Sequence, residues 1–335
     1  MNVLGIETSC DETAACIVED GRKVVSSVVA TQIDEHSLYG GVVPEIASRR
    51  HLEKIDRIVA LTFEKLNLNF SDIDVIAVTN TPGLVGSLLV GVNFAKGLSF
   101  SLNKPLVAVN HLKAHIAANY INNEDLKPPF LGLIISGGHT NIVRVKDYCN
   151  FELIGKTVDD SIGEAYDKVG RALGLLYPAG AKIDKLSKIG DKNRYEFPKP
   201  TVENSMFDFS FSGLKTAVLN KINQEKLQEK KIIIENFCSS FQKVITEMVC
   251  EKIFLAAQKY NEKKIVVCGG VCANSDIREN LSKIAGLKGI KLYLPELKYC
   301  TDNAAMVASQ GFYEAKNNNF EKDYSLNAIA SYQFK

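Results

Sequence analysis

Two of the five histidines in this chain lie four residues apart, at His111 and His115 in the stretch VNHLKAHIAAN. Asn110 follows the apolar run PLVAV and suits the N-cap of a helix that begins at His111. Residues four apart on a helix share one face, about 6 Å from each other, which suits two imidazoles on one ion. Leu112 and Ile116 belong to the apolar stripe, roughly a third of a turn from the histidines. We therefore expect a metal-binding pair, with core histidines or a solvated face as the alternatives.

The residue after the first histidine decides which chemistry such a metal could serve. A zinc protease of the HExxH type needs a Glu beside the first His as its general base, and this chain has Leu112 there. The protease interpretation therefore loses its base. A third ligand must come from elsewhere, and Asp302 in YCTDNAAMVA is a candidate at the predicted start of a helix. Taken alone, an Asp at that position is more often a helix cap.

Three turns rich in Gly, Ser and Thr could bind a phosphate through free backbone N–H groups. TSCDET (8–13) and SGGHT (136–140) each join two predicted strands, and CGGVCAN (268–274), with Gly269 and Gly270, joins a strand to a helix. One such turn is weak evidence, because many hairpins need glycine for structural reasons. The segments LGIETSCDETAACIV and LGLIISGGHTNIVRV, however, overlay without a gap, so that Ser9 meets Ser136. We interpret this as an internal duplication and expect a nucleotide between two related lobes.

Other polar residues have structural explanations that are equally good. Asp167 lies on the amphipathic segment EAYDKVGRALGL (164–175), followed by Gly180 in a predicted turn and Asp184 in the next helix. In FDFSFSGLKTAV (207–218), a strand-like run precedes a helix with Ser212 and Lys215 near its start. A helix N-terminus with a nearby lysine could meet a phosphate, although capping explains the same pattern.

The elements that must position these residues alternate in type. DVIAVTNTPG with LVGSLLVGVNFAKGL is the clearest of several strand–loop–helix units, which predict an α/β protein with largely buried sheets. The apolar stretch 84–95 is short and interrupted, so we expect a buried helix and no membrane span. MNVLGIETSC is typical of a first strand and not of a signal peptide. The polar linker NNEDLKPPF predicts a lobe boundary near residue 125. We expect lobes at 1–125 and 126–335, with an exposed insertion around 189–215 and a last helix that could pack back on the first lobe.

Charge and cysteine content exclude little but bear on partners and compartment. The formal net charge is +1, so a polynucleotide partner would need a local basic patch or another subunit. The eight cysteines form no CxxC pair, and we expect buried free thiols in a reducing cytosol.

Taken together, the ordered motifs resemble those of the bacterial tRNA N6-adenosine threonylcarbamoyltransferase family, the TsaD type, once labelled O-sialoglycoprotein endopeptidases. The resemblance covers nearly the whole chain and includes GIETSCDET, YGGVVPEIASRRH, TPGLVGSLLVG, NHLKAHIAA, SGGHT, GEAYDKVGRALGL, FDFSFSGLKTAV, GGVCAN and CTDNAAM. Two small departures occur, at Thr81–Gly83, where a Gly often precedes the Pro, and at Ala179, where Gly is commoner.

The resemblance implies a two-lobed actin/hexokinase-like ATPase fold with duplicated βββαβα-type lobes. It implies transfer of the threonylcarbamoyl group from its adenylate to the N6 amine of the adenosine beside the anticodon, in tRNAs reading codons that begin with A. By similarity, His111, His115 and Asp302 would hold one divalent metal, Fe²⁺ ahead of Zn²⁺, and Asp11 and Glu12 would lie near the reacting end. The nucleotide site, for ATP, ADP or threonylcarbamoyl-adenylate, would include Ser9, Ile134, Ile135, Ser136, Gly137, Gly138, Asp167, Gly180, Asp184, Gly269, Gly270 and Asn274. The implied partners are tRNA, a shortened paralogous subunit and a small P-loop ATPase, in the cytoplasm.

Two other functions fit the same fold. A small-molecule kinase would pass the ATP γ-phosphate to a sugar or acid, but such kinases hold Mg²⁺ through phosphates and carboxylates, which leaves the histidine pair unexplained. A nucleotide-gated assembly protein would bind ATP and change its affinity for a partner without chemistry.

Overall fold

A computed structural model describes residues 1–64, 68–332 and 334 of the chain. Its strands are β1 (Asn2–Glu7), β2 (Glu12–Glu19), β3 (Lys23–Thr31), β4 (Val75–Thr81), β5 (Leu106–Asn110), β6 (Phe130–Ile135), β7 (Thr140–Val145), β8 (Phe151–Lys156), β9 (Lys264–Cys268) and β10 (Lys291–Tyr293). Its helices are α1 (Ile33–Ser37), α2 (Pro44–Glu64), α3 (Val85–Leu102), α4 (His111–Ala117), α5 (Ile162–Ala172), α6 (Gly180–Ser187), α7 (Ser212–Leu227), α8 (Ile234–Tyr260), α9 (Ser275–Lys288) and α10 (Ala304–Lys316).

Two five-stranded sheets repeat one strand order. The first sheet runs β3-β2-β1-β4-β5, and the second runs β8-β7-β6-β9-β10. In the first, β1, β2 and β3 are antiparallel neighbours, whereas β4 and β5 continue parallel to β1. In the second, β9 is parallel to both β6 and β10. The overlay of the TSCDET and SGGHT segments is confirmed as a repeat of structure, because β1 and β6 hold the same central place in their sheets.

The chain forms two compact units, one of residues 1–128, 145–151 and 295–335, the other of residues 129–144 and 152–294. Each unit contains one of the sheets. The residues that end the chain thus belong to the first unit, together with β1 to β5 and α10. The lobe bounds drawn from the sequence stay a prediction.

The first sheet is covered by helices on both faces. One face packs against α4 and α10, with Ala114 and the alanines of α10 in its core. The opposite face packs against α2 and α3. Side chains along β1 alternate between the two layers, with Val3 on the α10 side and Leu4 and Ile6 on the other. Gly5 lets α10 approach, since a methyl group there would lie 2.6 Å from the backbone nitrogen of Ala308.

α3 contains the apolar stretch predicted as a buried helix, and the structure buries only one face of it. Leu88, Val92 and Ala95 are buried, whereas Val85 and Phe100 are exposed. Among the described helices, α3 is the one long and apolar enough to cross a membrane by length and composition. Its inner face, however, belongs to the core formed with α2 and the first sheet.

In the second unit, two local predictions were wrong. Gly180 is the first residue of α6 and does not lie in a turn before it. The run FDFSF forms no strand in the described chain, and its ladder is one parallel bridge between Thr157 and Phe209. The reason is Asp159, whose Oδ1 accepts hydrogen bonds from the backbone nitrogens of Phe211 and Ser212 and ties this segment to the start of α7.

Candidate metal centre and nucleotide loops

The helix that carries the histidine pair begins where the sequence predicts. The Asn110 side chain accepts hydrogen bonds from the backbone nitrogens of Leu112 and Lys113, at 2.9 and 3.2 Å, which confirms the N-cap. α4 ends at Ala117. Both histidines are buried, His115 almost completely. A solvated histidine face was therefore wrong, and α4 packs against α10.

Asp302 lies two residues before α10 and does not cap it. The cap is Asn303, whose side chain accepts a hydrogen bond from the backbone nitrogen of Met306 at 3.0 Å. Helix capping, the structural alternative for Asp302, therefore does not explain this residue. Its side chain is 19% exposed and points its Oδ1 at both histidines.

Three ligand atoms converge here, one each from His111, His115 and Asp302, all within 4.8 Å of one another. The Nε2 atoms of His111 and His115 lie 3.5 and 3.2 Å from the Oδ1 atom of Asp302. Ligands that hold Zn²⁺ at about 2.0–2.1 Å in a tetrahedral arrangement lie roughly 3.3 Å apart. Neither ring nitrogen of His115 has a hydrogen-bond partner in the described chain, although both are buried. Two imidazoles and one carboxylate are also the facial donor set of non-haem iron sites, so the residues fit a divalent metal.

Electrostatics set the two imidazoles apart. Burial, together with the neighbouring His111, lowers the pKa of His115, so its imidazole is neutral, the form that binds metal. Burial opposes the charging of His111, but Asp302 and Glu7 outweigh it and raise the pKa of His111 to about 9. A cation on this imidazole would take the place of the proton.

Glu7, at the end of β1, is a site residue that the sequence analysis missed. Its carboxylate is fully buried, with Oε2 3.4 Å from His111 Nδ1. Ser9 Oγ approaches the same nitrogen at 3.1 Å, so Ser9, which was predicted to bind the nucleotide, lies beside the histidine pair. Burial opposes ionisation of Glu7, but the charge and hydrogen bond of His111 hold its pKa below the ordinary value. The sequence could have indicated Glu7, because it is a carboxylate at the end of an apolar strand and lies close to the acidic residues Asp11 and Glu12.

Asp11 lies in the turn between β1 and β2, Glu12 is the first residue of β2, and both are buried. Gln32 donates from its backbone nitrogen to the Asp11 carbonyl at 3.0 Å, which fixes the turn. Burial, with the negative charges of Asp302 and Asp11, raises the pKa of Glu12 to about 10. Glu12 therefore keeps its proton at neutral pH and can donate a hydrogen bond.

The second unit contains the remaining predicted residues. Ile134 and Ile135 are buried at the end of β6, while Gly137 and Gly138 are exposed in the turn to β7. α5 begins against this turn, where a methyl group on Gly163 would lie 2.7 Å from Gly137 Cα and from the Ser136 carbonyl oxygen. The structure thus brings a glycine turn close to the N-terminus of α5, whose first three backbone nitrogens donate to Thr140, Ser136 and Ser161.

β9 meets the same strand end through a second glycine pair. Gly269 has φ of 91°, and a methyl group on it would lie 2.8 Å from the Ile135 carbonyl carbon. Gly270 then opens a short 3-10 turn that leads to α9. Only glycine suits the left-handed conformation at this close approach.

Asp167, Asp184 and Asn274 are engaged in hydrogen bonds within the unit. Asp167 accepts from the Ala179 backbone nitrogen at 2.8 Å, and burial raises its pKa. Asn274 caps α9 and donates to the Gln242 side chain at 2.9 Å. Gln242 donates in turn to Asp184 at 3.0 Å. These contacts shape the second unit, and any nucleotide role for the three residues would be additional to them.

The lysine near the start of α7 is already paired. Lys215 Nζ lies 2.5 Å from Asp160 Oδ2, and Lys168 Nζ lies 2.8 Å from Asp160 Oδ1. With Asp159 at the first backbone nitrogens, carboxylates occupy the places that a phosphate would take. Capping is therefore the better account of this segment.

Comparison with known proteins agrees with this organisation. The family model for TsaD, tRNA N6-adenosine threonylcarbamoyltransferase, matches residues 23–309. A tRNA N6-adenosine threonylcarbamoyltransferase of Clostridioides difficile is 49% identical over 326 residues, which cover 97% of this chain and 96% of that protein.

Two solved structures share the fold at low identity. T. kodakarensis HypF superposes with a TM-score of 0.66 at 15% identity, over 97% of this chain and 49% of that one. Component A of the Acidaminococcus fermentans (R)-2-hydroxyglutaryl-CoA dehydratase superposes with a TM-score of 0.55 at 15% identity, over 94% and 99%. These place the chain in the actin/hexokinase-like ATPase fold. The matched family model and the near-complete overlap with its relatives show that this chain belongs to the TsaD family of tRNA N6-adenosine threonylcarbamoyltransferases.

Proposed function

We propose that this chain transfers the threonylcarbamoyl group from threonylcarbamoyl-adenylate to the N6 amine of the adenosine beside the anticodon, in tRNAs reading codons that begin with A. Family membership supports the activity, and the convergence of His111, His115 and Asp302 within 4.8 Å is the observation that carries the proposed site. A kinase of the same fold would have no use for this donor set.

The three ligands would hold one divalent ion, Fe²⁺ by preference and Zn²⁺ as the second choice, because two histidines and a carboxylate are the donor set of non-haem iron. When bound, such an ion polarises a carbonyl oxygen or neutralises phosphate charge. His115 contributes a neutral imidazole that no hydrogen bond within the described chain occupies. Asp302 contributes the one anionic oxygen, which lies within 3.5 Å of both imidazoles.

Asp11 and Glu12 are the residues that we assign to proton transfer and hydrogen bonding in the reaction. The N6 nitrogen attacks the carbamoyl carbon, the bond from that carbon to the adenylate phosphate oxygen breaks, and AMP leaves with the electron pair. The amine must lose one proton, and Asp11 is the residue we assign to receive or orient it. Glu12 keeps its proton and serves as a hydrogen-bond donor, which separates the roles of two adjacent carboxyl groups.

The adenylate, or ATP or ADP, would be bound by the glycine turns of the second unit. The residues of that unit that we assign to it are Ile134, Ile135, Ser136, Gly137, Gly138, Asp167, Gly180, Asp184, Gly269, Gly270 and Asn274. Ser9, the remaining residue assigned to the nucleotide, belongs to the first unit. Gly137 and Gly138 are exposed in the turn between β6 and β7, which supports a phosphate contact by their backbone N–H groups.

The partners are tRNA, a shortened paralogous subunit and a small P-loop ATPase, in the cytoplasm. A net charge of +1 supports the need for helpers, because phosphate contacts supply much of the affinity for a polynucleotide.

A reconstituted transfer reaction tests the proposal. Purified chain, metal-loaded or treated with chelator, is mixed with the candidate partners, threonylcarbamoyl-adenylate and unmodified tRNA, and the tRNA is digested to nucleosides. We expect threonylcarbamoyladenosine only with the metal-loaded chain. No modified nucleoside with any partner set, or ADP with a phosphorylated small molecule in its place, would contradict the proposal.

A further inference from the structure

Glu7 is a buried carboxylate whose contacts point in two directions. Its Oε1 atom accepts a hydrogen bond from the Ser9 backbone nitrogen at 2.6 Å, and its Oε2 atom accepts one from the Thr79 hydroxyl at 2.6 Å. The same Oε2 atom lies 3.4 Å from His111 Nδ1. The side chain has no exposure at all. Burying an ionised carboxylate lowers the stability of a protein unless its hydrogen-bond partners are well placed. A fully buried Glu therefore calls for a functional or structural explanation.

The position of Glu7 decides which nitrogen of His111 carries a proton. Two donors, the Ser9 N–H and the Thr79 hydroxyl, already favour the ionised form of Glu7, which can only accept. His111 Nδ1 must then carry the hydrogen that faces Oε2. The lone pair of a neutral imidazole is left on Nε2, the atom on the Asp302 side of the ring. Ser9 Oγ imposes no such choice, because a hydroxyl can donate or accept.

We propose that Glu7 is a positioning residue that fixes the tautomer and ring orientation of His111 for metal binding. Carboxylates that accept a hydrogen bond from the second nitrogen of a ligating histidine also increase the basicity of that ligand. The inference rests on the metal centre of the proposed function. Glu7, on β1, would act on the metal only through His111. The ligands themselves come from α4 and from the segment before α10.

A purely structural role is the competing account. Glu7 joins β1 to β4 through Thr79, and this contact alone could justify a buried carboxylate. The two accounts differ in one measurable respect. A structural clamp stabilises the protein equally with and without metal, whereas a positioning residue changes the affinity for metal.

The test compares Glu7→Gln with wild type for Zn²⁺ affinity, measured by competition with a chromophoric chelator, and for thermal stability in excess chelator and in excess Zn²⁺. Glutamine keeps the size and reach of the side chain but loses the charge. We expect Zn²⁺ affinity to fall about 10- to 100-fold and the Zn²⁺-induced rise in Tm to shrink. Glu225→Gln, the same change at a buried carboxyl that accepts a hydrogen bond from Tyr195, is the control and should bind Zn²⁺ as wild type does.

Equal Zn²⁺ affinity in Glu7→Gln and wild type, with Tm lowered by the same amount in both conditions, would overturn the positioning role. Absence of Zn²⁺ binding by wild type would overturn the metal centre itself, so the two failures are distinguishable. If Glu7→Gln does not fold, Glu7→Asp is the second variant to test. Its side chain keeps the negative charge but is one methylene shorter, so the carboxylate lies farther from His111. We expect weaker Zn²⁺ binding and an altered Co²⁺ absorption spectrum in that variant. An unchanged spectrum and affinity in Glu7→Asp would also refute the role.

Discussion

His115 Nε2 lies 3.2 Å from Asp302 Oδ1, yet neither nitrogen of this buried imidazole makes a hydrogen bond within the described chain. An unsatisfied buried polar group costs about 1–3 kcal/mol, which a bound cation would offset at this position. The close approach of a neutral imidazole to a carboxylate therefore indicates a place shaped for a positive ion.

Metal content should depend on each of the three ligands separately. His111→Ala, His115→Ala and Asp302→Ala each remove one of three donors, and we expect each variant to be purified with little or no metal. Elemental analysis by mass spectrometry gives the metal per subunit, and His139→Ala, which changes a histidine of the second unit, serves as control. Full metal occupancy in any two of the three variants would disprove the assignment.

Asp11 and Glu12 should differ in their effects on the chemical step. Because Asp11 is assigned to the acceptor proton, Asp11→Asn should slow single-turnover transfer by about 10²- to 10⁴-fold while metal content stays at the wild-type level. Glu12→Gln keeps a hydrogen-bond donor and should slow transfer less. Asp34→Asn, at an exposed position on α1, is the matched control. A wild-type single-turnover rate in Asp11→Asn would remove Asp11 from the mechanism.

The contact between α5 and the glycine turn should be sensitive to a single methyl group. In Gly163→Ala the new carbon would lie 2.7 Å from Gly137 Cα, so the turn must shift. We expect a loss of about 1–3 kcal/mol in the free energy of unfolding and weaker ATP binding by calorimetry.

Gly286→Ala is the control for that substitution, since nothing lies within 4 Å of the added methyl in α9. It should stabilise the protein by roughly 0.5–1 kcal/mol and leave ATP binding unchanged. Equal ATP affinity in Gly163→Ala and wild type would show that the turn at Gly137 and Gly138 does not bind the nucleotide.

Asp160 should give the second unit a pH-dependent contribution to stability. Burial opposes ionisation of Asp160, but hydrogen bonds from Lys168, Lys215 and Ser212 outweigh it and lower its pKa from 3.8 to about 2. Since the folded value lies below the unfolded one, the contribution is complete above about pH 4 and is lost as the pH falls towards 2.

The variant Asp160→Asn should therefore lose on the order of 1–2 kcal/mol of stability at pH 7, and the difference in stability from wild type should narrow between about pH 4 and about pH 2. Denaturant unfolding across this range measures it. Glu164→Gln, which breaks a more exposed ion pair with Lys168, should change stability by less than about 0.5 kcal/mol. A difference that stays constant with pH would contradict the assignment to this carboxylate.

Local sequence rules predicted elements and caps, since these depend on neighbours along the chain. The strand that ends at Asn110 and the cap at that residue follow from a few adjacent side chains. The burial of His111 and His115 did not follow, because the helical wheel of α4 carries no information about α10, which packs against it from the far end of the chain. Glu7 escaped for the same reason, since its link to His111 appears only when β1 and α4 are folded together.

The docking of α10 on β1 has a consequence for mutational tolerance. Gly5 carries no side chain and is no candidate ligand, yet any larger residue there would press on the backbone at Ala308 and displace α10. Asp302 immediately precedes the N-cap of that helix, so its carboxylate would move with it. A saturation scan scored by metal loading should therefore rank Gly5 beside the three ligands, with almost no substitution allowed.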